Sequence, residues 1–157
     1  MKKNFSFRNG FSLFEIVLVV AILAIISSIY VGSLITVDEK QALTGSEMTV
    51  RSILGETRSK TISSEYNAQY GVHFEEGTGT VDIFSGSVYD PNSSDIIHVI
   101  LNKKVSIASV QLHNNENDVV FDRIFGSTDQ YGTIVLQTNS DDISYATITI
   151  YATGVVE

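Results

Sequence analysis

For 22 positions between Glu15 and Asp38 the chain carries no charged residue. Every residue from Ile16 to Ile26 is apolar. The run resumes at Ile29, Tyr30 and Val31 and again at Leu34 and Ile35, with Ser27, Ser28, Gly32 and Ser33 as small interruptions. As a helix, 22 residues rise about 33 Å, enough for a hydrocarbon core of roughly 30 Å. A helix in a globular core ordinarily keeps a polar face, and this stretch has none. The expectation is a transmembrane helix over 11–36.

The flanks refine that reading. Lys2, Lys3 and Arg8 precede the apolar run, so the N-terminus is expected on the cytoplasmic side. A cleavable secretory signal would show the same basic start. Its small-residue cut site, however, would lie after an apolar stretch too long for a signal core. Glu15 stands at the head of the stretch. An ionised acid at a bilayer centre costs about 2.5–3.5 kcal/mol, and less near an interface. A carboxylate there calls for a role; its plainest one is that of a snorkelling interfacial acid.

The segment Gly10-Phe11-Ser12-Leu13-Phe14-Glu15 resembles the class III signal of type IV prepilins and pseudopilins. The resemblance implies a basic leader, 1–10, removed by a prepilin peptidase that cuts between Gly10 and Phe11. It implies N-methylation of Phe11. It also implies that Glu15, fifth in the mature chain, pairs with the terminal amine of a neighbouring subunit. Asn9 stands where Lys or Arg commonly precedes the Gly, and Phe14 where an aliphatic residue is commoner. Each residue also has a plain chemical reading. Gly10 leaves the backbone open to a protease, and Phe11 sets a large apolar side chain beside the freed amine. A pair involving Glu15 would reduce the penalty of an isolated buried charge.

Beyond the apolar stretch, 37–62 contains no Pro. Leu43, Val50, Ile53 or Leu54, and Thr57 or Thr61 recur at helical spacing among charged residues. An amphipathic helix able to seat a sheet is expected there. With the apolar part it would reach roughly 75 Å. Gly32 occupies the place where many pilins carry a helix-breaking Pro, so it is read either as a point of helix flexibility or as a small residue for tight packing.

After Ser63 the pattern turns to strands. Candidates are 69–74, 80–84, 96–101, 105–112, 119–125, 132–138 and 145–153, with a glycine-containing hairpin loop at 75–79. The expected fold class is α+β: a long N-terminal helix, membrane-spanning in its first half and amphipathic in its second, packed on an antiparallel β-sheet head in a pilin-like manner. The expected divisions are a leader at 1–10, a filament-core helix at 11–36, its continuation at 37–62, and a β-rich head at 63–157. The tail, with Val120-Phe121, Gly126, Gly132-Thr133-Ile134-Val135-Leu136, Ile148-Thr149-Ile150 and Gly154-Val155, is similar to the C-terminal pattern of the GspH/FimT family of minor pilins and pseudopilins.

Composition limits the alternatives. Hydrophobic residues make up 43% and charged ones 18%, there is no Cys, and the net charge is −8. The composition argues against disorder, and the absence of Cys excludes disulfide staples and thiolate metal sites. Removing the leader's three cations leaves seven against 18 acids, and from Thr61 onward only Lys103, Lys104 and Arg123 face 13 acids. No nucleic-acid partner is expected of so acidic a chain. An acidic head is instead expected to meet a basic face of a neighbouring subunit.

No catalytic residue is expected. His73, His98 and His113 lack the local spacing of metal ligands, and no G-x-S-x-G motif surrounds any Ser. His73 and His98 alternate with apolar neighbours and read as strand residues on a polar face. No cofactor is expected. Calcium is the candidate cation, because 90–95, 114–118 and Asp141-Asp142 hold hard oxygen ligands, although none matches an EF-hand and ordinary turn chemistry accounts for them.

The function expected is that of a structural subunit, of the minor kind, in a type IV pilus or a type II secretion pseudopilus. Its expected partners are prepilin peptidase, other pilin or pseudopilin subunits and a membrane assembly platform. Its expected place is the bacterial inner membrane, single-pass with the head outside, and then a periplasmic or extracellular filament. A tip adhesin using the loops at 85–95 and 114–118 is the alternative, ahead of a membrane-tethered hydrolase.

Overall fold

The computed structural model describes residues 11–140 and 142–157; within these, 28–36 and 114 are described in backbone alone. The elements are α1 (Leu13–Ile62), a 3-10 turn (Glu65–Asn67), β1 (Tyr70–Phe74), β2 (Thr80–Ser85), β3 (Ile97–Ile100), β4 (Val105–Leu112), a second 3-10 turn (His113–Asn115), β5 (Asp118–Val120), β6 (Gly132–Thr138) and β7 (Tyr145–Ile150). The chain divides into two compact units, Met1–Val37 and Asp38–Glu157.

In the second unit the helix is held by its apolar stripe. Ala42, Leu43, Ser46, Val50, Ile53, Leu54, Thr57 and Thr61 are buried. Their steps of three and four keep them on one face. The opposite positions carry pairs one turn apart, Arg51 with Glu47 and Lys60 with Glu56, each at 2.8 Å. Such pairs contribute about 0.3–0.5 kcal/mol. The Glu56 hydrogen bond also raises the Lys60 ammonium above its ordinary value. At the helix end the Thr61 hydroxyl donates to the Thr57 carbonyl at 3.0 Å and accepts from the Tyr70 amide at 3.0 Å. Ser64, Tyr66 and Asn67 take left-handed backbone conformations, which turn the chain from helix into β1. Arg123 donates to the Asn67 side chain at 2.6 Å and braces that turn.

Two antiparallel sheets follow, ordered β3-β2-β1-β5 and β4-β6-β7. The hairpin loop between β1 and β2 joins them. Its Gly77 amide donates to the Ile107 carbonyl at 2.9 Å, the Ile107 amide donates to the Thr78 carbonyl at 2.8 Å, and the Glu76 carboxylate accepts from the Val110 amide at 2.7 Å. β4 carries an irregularity between Ile107 and Ser109 there. Extra residues of this kind bend a strand and free backbone groups for such contacts. A single hydrophobic cluster takes Leu54 and Val50 from the helix, Val72, Phe74 and Val81 from the first sheet, and Ile134, Leu136 and Ile148 from the second.

The expected fold class is corrected on two points. No helix among the described residues is long and apolar enough to cross a membrane. The membrane-spanning first half expected of the long helix is therefore not upheld among the described residues. The transmembrane assignment and the single-pass placement in the inner membrane fall with it. Second, the strands form two sheets where one was expected. β4 pairs with β6, not with its chain neighbour β3, which divides the strands.

Two strands are also shorter than their sequence patterns. β5 stops at Val120 because the Asp122 carboxylate takes the amides of Ile124 at 2.8 Å and Phe125 at 3.1 Å. Those bonds, that of Phe125 first, lower the Asp122 pKa, and the side chain turns the chain out of the sheet. β7 stops at Ile150. There Gly154, with a φ of 77°, reverses the chain, and Val156 pairs back on Ile150.

Candidate functional site

The residues of the prepilin-like signal fall in the first unit, and the histidines and oxygen-rich loops in the second. Gly10 and the leader fall outside the described residues, as does Asp141. Gly32 lies in the part of α1 described in backbone alone. Phe11 and Glu15 are described. Phe11 is 80% exposed and precedes the helix, and the Ile16 amide donates to the Ser12 carbonyl at 3.2 Å to start it. Glu15 falls in the first turn, where a negative charge meets the positive end of the helix dipole.

Every described residue over 11–27 is exposed. That includes Leu13, Phe14, Leu18, Val20 and Leu23, all more than two-fifths exposed. Glu15 is the one ionisable side chain in this stretch, and it has no ion pair among the described residues. An apolar surface this continuous exceeds what a folded chain ordinarily leaves to water.

The second unit presents different chemistry. In the loop at 85–95, Asp90 accepts from the Asn92 amide at 3.0 Å and from its side chain at 3.3 Å. The Ser93 hydroxyl accepts from the Asp95 amide at 3.3 Å. These are turns satisfied by their own backbone. No described group of three or more His, Asp or Glu is placed to hold a metal ion. A polar cleft of about 300 Å³, bordered by Gln69, Ser87, Asp122, Thr128 and Gln130, lies near the Asp122 turn.

Sequence reading missed two arrangements. Arg58 of α1 donates to three carbonyls, those of Gly126 at 2.7 Å, Thr153 at 3.3 Å and Phe125 at 3.4 Å. It thereby ties the loop after β5 to the C-terminal turn. Gly126 and Gly154 both have positive φ, and a Cβ on Gly154 would lie 1.8 Å from the Gly126 carbonyl oxygen. The pattern of tail glycines marked this place, but nothing in the sequence pointed to Arg58.

The second arrangement crosses the first sheet. Strand register sets His98 opposite Asp82, Asp82 opposite His73, and His73 opposite Asp118. His73 Nδ1 lies 2.5 Å from Asp118 and His98 Nδ1 lies 2.6 Å from Asp82. The Tyr89 hydroxyl donates to Asp82 at 2.7 Å. Its ring lies parallel to the His73 imidazole at 3.9 Å and meets Phe84 edge-on at 5.5 Å. The Asp82 hydrogen bond, followed by burial and the nearby acids, pushes the Tyr89 phenol up to about 12. Alternation placed both histidines on a polar face; their partners depend on register, which a sequence does not display.

No family model, curated protein or solved structure matches the chain.

Proposed function

We propose that this chain is a structural subunit of a filament of the type IV pilin kind, processed by a prepilin peptidase between Gly10 and Phe11 and assembled through its N-terminal helix. The observation that carries the reading is the conjunction of Gly10-Phe11-Ser12-Leu13-Phe14-Glu15 with a helix whose apolar side chains over 11–27 are exposed. Side chains of that kind are stabilised by about 25 cal/mol for each Å² removed from water. Copies of the same helix, packed side by side, supply the cover. Glu15 would then sit among apolar neighbours, where a charge needs a partner, and the terminal amine of Phe11 on the next copy supplies one.

The turn glycines support the finer reading as a minor, GspH/FimT-like subunit. Gly126, Gly132 and Gly154 of the tail pattern all have positive φ, and each stands where a Cβ would collide with a neighbour. The pattern thus follows a steric demand of the fold.

Glu15→Ala tests the assembly step. The variant is expected to be cut after Gly10 as the parent is, yet to be lost from sheared filaments. Normal incorporation would remove the role given to Glu15.

A further inference from the structure

We propose that the row His98–Asp82–His73–Asp118, closed over by Tyr89, is a proton-operated clasp on the connection between β2 and β3. The inference does not depend on the filament reading. The connection, 86–96, is a long irregular stretch, matched in length in the second unit by 121–131. Among the described residues, the hydrogen bond from 87–96 to the sheet is that of the Tyr89 hydroxyl to Asp82. The Tyr89 ring adds its stack on His73 and its edge contact with Phe84. One side chain therefore holds the loop, and it rests on a histidine between two carboxylates.

The charges around that histidine set the direction. Asp82 faces it from β2 and Asp118 from β5. His98 stands beyond Asp82 on β3. Asp82, Asp118 and Glu75 act on the Tyr89 phenol. Neither acid of the row has a Lys or Arg ion-pair partner among the described residues. A proton on each imidazole is thus the compensation available within the row. With both protonated, the two contacts become charge-assisted pairs, and the imidazolium of His73 lies against the Tyr89 ring in cation–π geometry. With both neutral, the row keeps two carboxylates and no positive charge, and the stack loses its electrostatic part.

Loop order should therefore be compared at about pH 5 and about pH 8, values that bracket the charge change general to histidine side chains. The test is backbone amide relaxation of the full chain in detergent micelles at those two pH values. The clasp predicts order parameters for 87–96 near the ~0.85 of rigid backbone at the lower pH, falling toward ~0.6 at the higher one. Amides of β4, β6 and β7 serve as the control for intact folding. The double variant His73→Gln, His98→Gln keeps side-chain donors but cannot take up the proton, and the loop should lose its pH response. Equal order at both pH values in the parent chain would overturn the proposal. So would a pH response that persists in the folded double variant. Should the double variant fail the folding control, His98→Gln alone, at a more exposed position, is expected to reduce the response; an unreduced response would count against the row.

Discussion

The two units of this chain use apolar residues in opposite ways. In 13–27 they form a helix with every described side chain exposed. In Asp38–Glu157 they are spent on a core that draws on the helix and both sheets. The spacing explains the contrast. An apolar residue at every position leaves no polar face, so such a helix cannot be half-buried. Apolar residues at every third or fourth position, as from Ala42 to Thr61, select one face and leave the other to Glu47, Arg51, Glu56 and Lys60. The first pattern asks for cover from outside the chain; the second finds it inside.

Substitutions can break this contrast. Phe121 is fully buried in the second unit, and Phe121→Ala should destabilise that unit by about 3–5 kcal/mol through lost burial and a residual cavity. Denaturant unfolding of the full chain in detergent, followed by the signals of β6 and β7, measures it. Gly154→Ala should cost about 2–4 kcal/mol in the same measurement. The added methyl meets the Gly126 carbonyl and the residue must hold a φ of 77°. Leu18→Ala in the first unit should leave that unfolding within about 0.5 kcal/mol of the parent, because the side chain is exposed and outside the core. A large loss there would mean that the two units share one stability.

The pH response of the second unit sharpens the comparison further. The Tyr89 phenol lies at about 12 against an ordinary 10.0. A raised value means the fold favours the protonated phenol. Its contribution is complete below about pH 10 and is lost as pH rises toward about 12. Tyr89→Phe should remove that alkaline component, read by tyrosinate absorbance alongside stability. No counterpart is expected from 11–27, which has no Tyr.

How much of this was legible depended on whether a feature is local. β4 and β6 match their sequence patterns at both ends, since alternation and flanking turn residues are read along the chain. β5 and β7 end early because Asp122 and Gly154 act through the turns that follow them. The second sheet was missed because the partner of β4 is β6, which lies beyond β5 in the sequence. The same limit hid the His–Asp row, in which His73 and Asp118 are brought together by register across 45 positions. The exposed apolar helix was legible from its composition, whereas the membrane crossing inferred from it was not upheld among the described residues. An apolar surface records the need for cover and not the identity of the cover.

The filament reading rests on Phe11 becoming the first residue of the mature chain. Mass spectrometry of the mature N-terminus, on protein taken from its native host, addresses that directly. The account predicts a chain beginning at Phe11 and carrying an N-methyl group. An intact Met1, or a cut near Ser33, would contradict it.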